Sequence, residues 1–237
     1  MLNINCDLGE GLNNEHIIMP LIDSCNIACG GHAGDIGSMI ECIEISIKNN
    51  VKIGAHPSYP DNINFGRKKI DISPSELSYS IISQIESLET IADSYGLELN
   101  HIKAHGALYN QMIIDAELSN FYLDTIKDFK NKCSLYIPYK SEIEKIALKK
   151  GFSIIYEVFG DRNYNDDLSL VSRNNEDALI TDPESVVDHI KTIKETESVK
   201  TINGNYKKIK FDTICIHSDT NNSIEILKKI NQEFDES

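Results

Sequence analysis

The chain has 237 residues, enough for one large α/β domain with a sizeable core. Its formal net charge of −14 excludes a nucleic-acid backbone or an anionic membrane as partner, because both need a clustered positive patch. No apolar run approaches the roughly 18 residues of a membrane span, and no charged leader precedes the first apolar stretch. We therefore expect a soluble cytoplasmic protein with a single domain over 1–237. The six cysteines (Cys6, Cys25, Cys29, Cys42, Cys133, Cys215) lie in apolar stretches without a C-x-x-C pair, which reads as reduced core thiols.

In chain order, Leu2 to Asp7 alternates apolar residues with Asn3, Asn5 and Asp7, a first strand leaving into Gly9-Glu10-Gly11. Ser24 to Cys29 is a second strand. Asp35 can cap the helix that follows, with Met39, Ile43 and Ile47 at helical spacing. Val51 to Ala55 is a third strand, stopped at His56-Pro57, and a long loop from Ser58 to Ile72 carries Phe65-Gly66-Arg67. Ser73-Pro74-Ser75-Glu76 is a capping box with proline at the first helical position, and Leu77, Ile81, Ile85, Leu88, Ala92 and Tyr95 form an apolar stripe ending at Gly96.

His101-Ile-Lys-Ala-His105 opens as a fourth strand. Alternation puts His101, Lys103 and His105 on one face and Ile102 and Ala104 on the other. If that strand is buried on both sides, Lys103 needs a partner or a ligand. A helix bearing Leu118, Phe121, Tyr122, Ile126 and Phe129 follows, then strand Cys133–Ile137, a Ser141/Glu144 capping box, strand Ser153–Phe159 and a helix opened by Asp182-Pro183-Glu184. Asn203-Gly204 marks a hairpin outside the main sheet, Thr213 to His217 is a seventh strand, and the last helix carries Ile224, Leu227 and Ile230. Seven alternations of strand and helix imply parallel strands with helices outside, as a closed barrel or an open doubly wound sheet.

Chemistry-bearing residues collect after the strands: Asp7 and Glu10, His32, His56, His105, Asp161 with Arg162, and His217 with Asp219. In a barrel these C-terminal strand ends share one pocket. Three chemistries fit. Asp7, Glu10 or Asp161 could act as base, with a histidine or Lys103 steadying an oxyanion. Asp7 with two or three of His32, His56 and His105 could hold a divalent metal, although no HExxH spacing supports one. Lys103 could be a Schiff-base nucleophile. Arg67 and Arg162 could clamp a substrate carboxylate. No G-x-x-x-x-G-K-[ST] occurs, so the chain has no recognisable ATP cradle of its own.

The stretches Asn5-Cys-Asp-Leu-Gly-Glu-Gly11, Asn26-Ile-Ala-Cys-Gly-Gly-His-Ala-Gly-Asp35, Gly54-Ala-His-Pro-Ser-Tyr-Pro-Asp61, His101 to Asn110, Glu157-Val-Phe-Gly-Asp-Arg162 and Cys215-Ile-His-Ser-Asp219 together resemble the LamB/YcsF family. The resemblance covers nearly the whole chain and implies a distorted seven-stranded parallel β/α barrel akin to polysaccharide deacetylases. It also implies ATP-dependent opening of 5-oxo-L-proline to L-glutamate with separate B and C subunits of a 5-oxoprolinase. The candidate catalytic residues are Asp7, Glu10, His56, Lys103, His105 and Asp161. His32, Arg67, Tyr109, Asn110, Arg162 and His217 are candidates for substrate binding, and Asp7, His32, His56 and His105 for metal. Rival expectations are a stand-alone metal-dependent deacetylase or amidohydrolase, and a non-catalytic lactam-binding subunit. The chain departs from the family at Gly31 (usually Phe), Ala104 (Pro), Asn64 (Gly), Lys68 (Arg) and Ser218 (Gly). Gly31 is expected to trim an apolar pocket wall, and Ala104 to loosen the strand exit that places His105.

Overall fold

A computed structural model describes residues 2–235. Strands β1 (Ile4–Leu8), β2 (Ser24–Ala28), β3 (Lys52–His56), β4 (His101–Ile102), β5 (Ser134–Pro138) and β6 (Ile154–Phe159) run in sequence order around a barrel. The short ribbon β7 (Ser198–Lys200) and β8 (Tyr206–Lys208) stands apart as an antiparallel pair, as the Asn-Gly turn predicts. Strand β9 (Thr213–Cys215) closes the barrel, pairing in parallel with both β6 and β1. Of the two architectures left open, the seven-stranded closed barrel is the one formed.

The helices are α1 (Glu15–Ile18), α2 (Ile36–Asn49), α3 (Pro74–Ser94), α4 (Gly106–Met112), α5 (Ala116–Thr125), α6 (Glu142–Lys150), α7 (Pro183–Thr196) and α8 (Ser223–Asp235). Helix α3 starts where Ser73 accepts from the Glu76 N–H and Glu76 returns the bond to the Ser73 N–H. Its Leu77, Ile81, Ile85, Leu88 and Ala92 are buried; the larger side chains each contribute about 1.5–3 kcal/mol of hydrophobic stabilisation. Tyr95 falls outside that stripe, at the half-exposed C-cap.

Several local expectations change. Ile47 is exposed, and Cys42 and Ser46 complete the buried face of α2 with Met39 and Ile43. At α6 only half of the capping box forms. Ser141 accepts from the Glu144 N–H, but Glu144 turns to the Lys140 N–H and the Tyr156 hydroxyl. The fourth strand is strand-like on one edge only: Lys103 and His105 donate backbone N–H bonds to Ala55 and Pro57, while pairing with β5 ends at Ile102. Helix α4 then begins directly after His105.

Polar side chains fill the barrel centre. Asn26 donates to Asn5 Oδ1 (2.8 Å) and Asp7 Oδ1 (2.7 Å), and its own oxygen meets His101 Nε2 at 2.6 Å. The His101 ring stacks on Tyr136 at 3.8 Å and lies over Gly54, where a Cβ would collide with it. Burial, with the Lys103 charge next, pushes His101 down to about 3, so it is a neutral filler of the core. All six cysteines are free and buried, as expected. No described helix is long and apolar enough to cross a membrane.

Candidate active site

A cavity of about 640 Å³ opens at the C-terminal ends of the strands, where parallel barrels carry their sites. Ten of the twelve predicted residues line it; His32 and Asp161 stand behind it. His32 stacks on His105 (ring centroids 3.6 Å apart) and bonds Glu10 Oε1 through Nε2 at 2.9 Å. Asp161 is fully buried behind His217.

The charge at the centre is Lys103. Its ammonium donates to Asp7 Oδ1 (2.9 Å), reaches Glu157 Oε1 (2.9 Å) and touches Cys215 Sγ (3.2 Å) and Asn5 Oδ1 (3.4 Å). Burial would lower the Lys103 value, but Asp7 first, with Cys215 and Glu157 beside it, overcomes it and holds it well up. Burial likewise would raise Asp7, and His56 and Lys103 hold it well below the usual carboxylate range. Both partners therefore favour the ionised pair. The ammonium spends its three donors on Asp7, Asn5 and Cys215. It holds Asp7 and Glu157 in place.

Two imidazole systems flank this centre. In the first, His56 Nδ1 lies 2.8 Å from the Lys103 carbonyl and His105 Nε2 3.0 Å from the Phe65 carbonyl. Carbonyls only accept, so both nitrogens carry the proton. The inner nitrogens, His56 Nε2 and His105 Nδ1, face each other at 3.0 Å. Asp7 Oδ2 is 3.4 Å from the former and Glu10 Oε1 3.6 Å from the latter. In the second system Asp161 accepts from the His217 backbone N–H, from His217 Nδ1 at 3.0 Å and from the Thr220 hydroxyl. Burial pushes the Asp161 carboxyl up, but the His217 charge and these bonds outweigh it and hold it low. A carboxylate bonded to Nδ1–H fixes the tautomer that leaves Nε2 as the free lone pair, on a residue lining the cavity.

The two predicted clamp arginines differ. Arg67 is ion-paired to Asp219, which also pairs with Arg173, so three loops are tied at the rim and Arg67 is not free. Arg162 is buried and donates only to the Ala178 and Val171 carbonyls. Among the described residues it has no carboxylate partner. Burial and the neighbouring Arg173 charge lower its value. Tyr109 is a neutral phenol on the inner wall, its hydroxyl pushed well up by burial and by Glu157, and Asn110 is exposed at the cavity.

Gly31 does not border the cavity. The space a side chain would take there holds Gln84 and Ser58, and Gln84 bonds both backbone groups of Ser58. The departure is filled from α3 and trims no wall. Ala104, Asn64 and Lys68 do line the cavity. Chemistry not predicted comes from Glu157, Asn5, Asn26, Thr220 and Arg173. A glutamate inside the apolar run of β6 was the available signal for Glu157; Arg173 had none.

Fold and pocket define a parallel β/α-barrel protein with a cluster of carboxylates and imidazoles at its mouth. The chain belongs to the LamB/YcsF family, whose sequence profile matches residues 2–237. It is 38% identical to the 5-oxoprolinase A subunit of Pyrococcus abyssi over 242 aligned positions, covering 99% of this chain and 94% of that protein. The corresponding protein of Thermococcus sibiricus is likewise 38% identical, with coverage of 99% and 94%. The lactam utilization protein of Thermus thermophilus superposes with a TM-score of 0.91 at 30% identity, covering 99% of this chain and 96% of that one. A putative cellobiose-phosphate cleavage protein of Enterococcus faecalis shares the fold (TM-score 0.60, 13% identity, coverage 99% and 94%).

Proposed function

We propose that this chain is the A subunit of a 5-oxoprolinase and hydrolyses the amide bond of 5-oxo-L-proline to give L-glutamate. The observation that carries the reading is a buried guanidinium, Arg162, that among the described residues bonds only backbone carbonyls, with Asp161 and Asp219 acting on it without a direct ion pair, on the same cavity as the Asp161–His217 pair. A small cyclic amide bearing a carboxylate fits both: Arg162 takes the carboxylate and the amide carbonyl lies toward His217. Relatives at 36–38% identity that carry the name of the 5-oxoprolinase A subunit support the substrate.

His217 Nε2 takes a proton from water as the water oxygen bonds to the amide carbon. The C–N bond then breaks, and the imidazolium returns the proton to the departing nitrogen. Asp161 steadies the imidazolium, and the Lys103 ammonium keeps Asp7 ionised beneath it. General base catalysis at about 10²–10⁴ supplies roughly 3–5 kcal/mol. An unactivated lactam asks for more, so the reading includes ATP-driven activation by partner B and C subunits. The setting is the cytoplasm, which supplies ATP and keeps the six thiols reduced, and residues 1–237 act as one domain.

The test is glutamate release from 5-oxoproline and ATP, with this chain alone, with the partner subunits, and with partners plus His217→Asn. Release only in the full mixture, with kcat collapsing in the variant, is expected. Unchanged kcat with weakened binding would instead make this a lactam-delivery subunit.

A further inference from the structure

We propose that the pocket floor beside His217 is a binding site for one first-row divalent cation, held by His56 Nε2, His105 Nδ1 and a carboxylate oxygen of Glu10. The inference goes beyond the hydrolytic reading and does not depend on it. Both histidines are buried, and each spends its outer N–H on a backbone carbonyl, Lys103 for His56 and Phe65 for His105. That is the arrangement that orients metal-ligating imidazoles. It leaves two lone pairs facing each other at 3.0 Å, which repel unless something positive lies between or beside them.

The spacings suit a metal. Donors at about 2.0–2.1 Å from a cation stand roughly 3.0 Å apart at a right angle and roughly 3.4 Å apart at the tetrahedral angle. The inner nitrogens are 3.0 Å apart, and Glu10 Oε1 is 3.6 Å from His105 Nδ1. One ligand atom from each of Glu10, His32, His56 and His105 falls within 4.8 Å of the others. His32 has its Nε2 on Glu10, so it aims the carboxylate, and its stacking on His105 braces that ring. Asp7 Oδ2, 3.4 Å from His56 Nε2, adds negative charge at the edge.

Glu10, His56 and His105 all border the cavity, so the remaining coordination positions face the substrate space, as in catalytic rather than structural metal sites. Two imidazoles and a carboxylate suit zinc, cobalt, manganese or iron rather than calcium or magnesium, which prefer all-oxygen sets.

The chelator-treated full chain, titrated with Co²⁺ and followed by calorimetry and visible absorption, tests this. One Co²⁺ per chain is expected, with weak d–d bands and no thiolate charge-transfer band. His56→Asn and His105→Asn should each lower the affinity about a hundredfold or more. No saturable uptake by the wild-type chain would overturn the proposal and leave a shared proton in the gap. A thiolate band would also overturn it, placing the ion at Asp7, Cys215 and His217 instead. The wild-type spectrum decides even if a variant fails to fold. Because no turnover is read, a chain that takes up no Co²⁺ yet releases glutamate loses this inference alone.

Discussion

Asp161→Asn isolates the proton-transfer assignment, because the surroundings of Asp161 dictate which way an amide must lie. The His217 backbone N–H and the Thr220 hydroxyl both donate to Oδ2. The amide oxygen of the variant takes that position, and the amide NH₂ falls on the Oδ1 side, 3.0 Å from His217 Nδ1. Nδ1 is also 3.0 Å from the Oδ2 position, but that oxygen already accepts from the His217 backbone N–H and the Thr220 hydroxyl. With both lone pairs taken, the imidazole favours the tautomer in which Nδ1 accepts from the NH₂ and Nε2 carries the proton. The cavity then loses its lone pair while every backbone contact stays in place. A wrong-tautomer imidazole costs about 10³–10⁴ in kcat, or about 4–5.5 kcal/mol of barrier. KM should stay within about threefold, since Arg162 is untouched. Steady-state glutamate release with the partner subunits present reads both parameters, and a thermal melt confirms that the variant is folded. A kcat within about tenfold of wild type in a folded variant would refute His217 as the base.

Arg162→Met should raise KM for the lactam about 10–150-fold, the equivalent of one charge-assisted contact of about 1.5–3 kcal/mol, with kcat nearly intact; an unchanged KM would show that the carboxylate lies elsewhere. Lys103→Met leaves Asp7 and Glu157 buried without their shared cation, at about 3–5 kcal/mol, and should lower Tm by about 6–20 °C. Adding Asp7→Asn should recover part of that loss, and a single variant melting with the wild type would contradict the charge assignment. Acid sensitivity should begin well above the carboxylate range. His101, held at about 3 in the fold against about 6.5 unfolded, binds its proton first in the unfolded chain. Stability therefore falls by about 1.4 kcal/mol per pH unit between those values from His101 alone as pH drops, and His189 (held at about 4), His105 and His32, all lowered by burial, steepen the fall. The depressed Asp7 and Asp161 add a further loss only below about pH 4. Urea midpoints at pH 7, 6 and 5 would expose the trend, and a flat profile would count against a neutral buried His101.

Side-chain parity made much of the site legible. In His101-Ile-Lys-Ala-His105 the alternation placed all three polar residues on one face, and that face is the inward one: they meet Asn26, Asp7 and His56. The same rule put Asp7 on one polar row of β1 with Asn5, and that row faces the barrel centre. Parity is a local property, and it fails where the partner comes from afar. The carboxylates on Lys103 lie on β1 and β6, so its charge state could not be read from its neighbours in sequence. Arg67 and Arg162 looked alike in the chain, yet Asp219 takes one and two carbonyls take the other. Helix α4 went unread because His105, its N-cap, makes no side-chain capping bond and so carries none of the usual start signals. Gly31 was misjudged because the side chain that fills its space comes from α3, more than fifty residues away.

The groups behind the imidazoles separate their work. His217 is backed by a buried carboxylate, which fixes Nδ1–H and also stabilises the positive charge that forms when the ring accepts a proton. His56 and His105 are backed by carbonyls, which fix the tautomer equally well but supply no charge. An imidazole of the first kind suits a proton that must come and go during turnover. A pair of the second kind suits a cation that stays, with negative charge drawn from Glu10 and Asp7 at its edge. If the backing of His217 were exchanged for an amide, its basicity would suffer and the cation site would not. Co²⁺ affinity of Asp161→Asn should therefore match wild type while its kcat falls, and a parallel loss of both would mean that the two imidazole systems act as one.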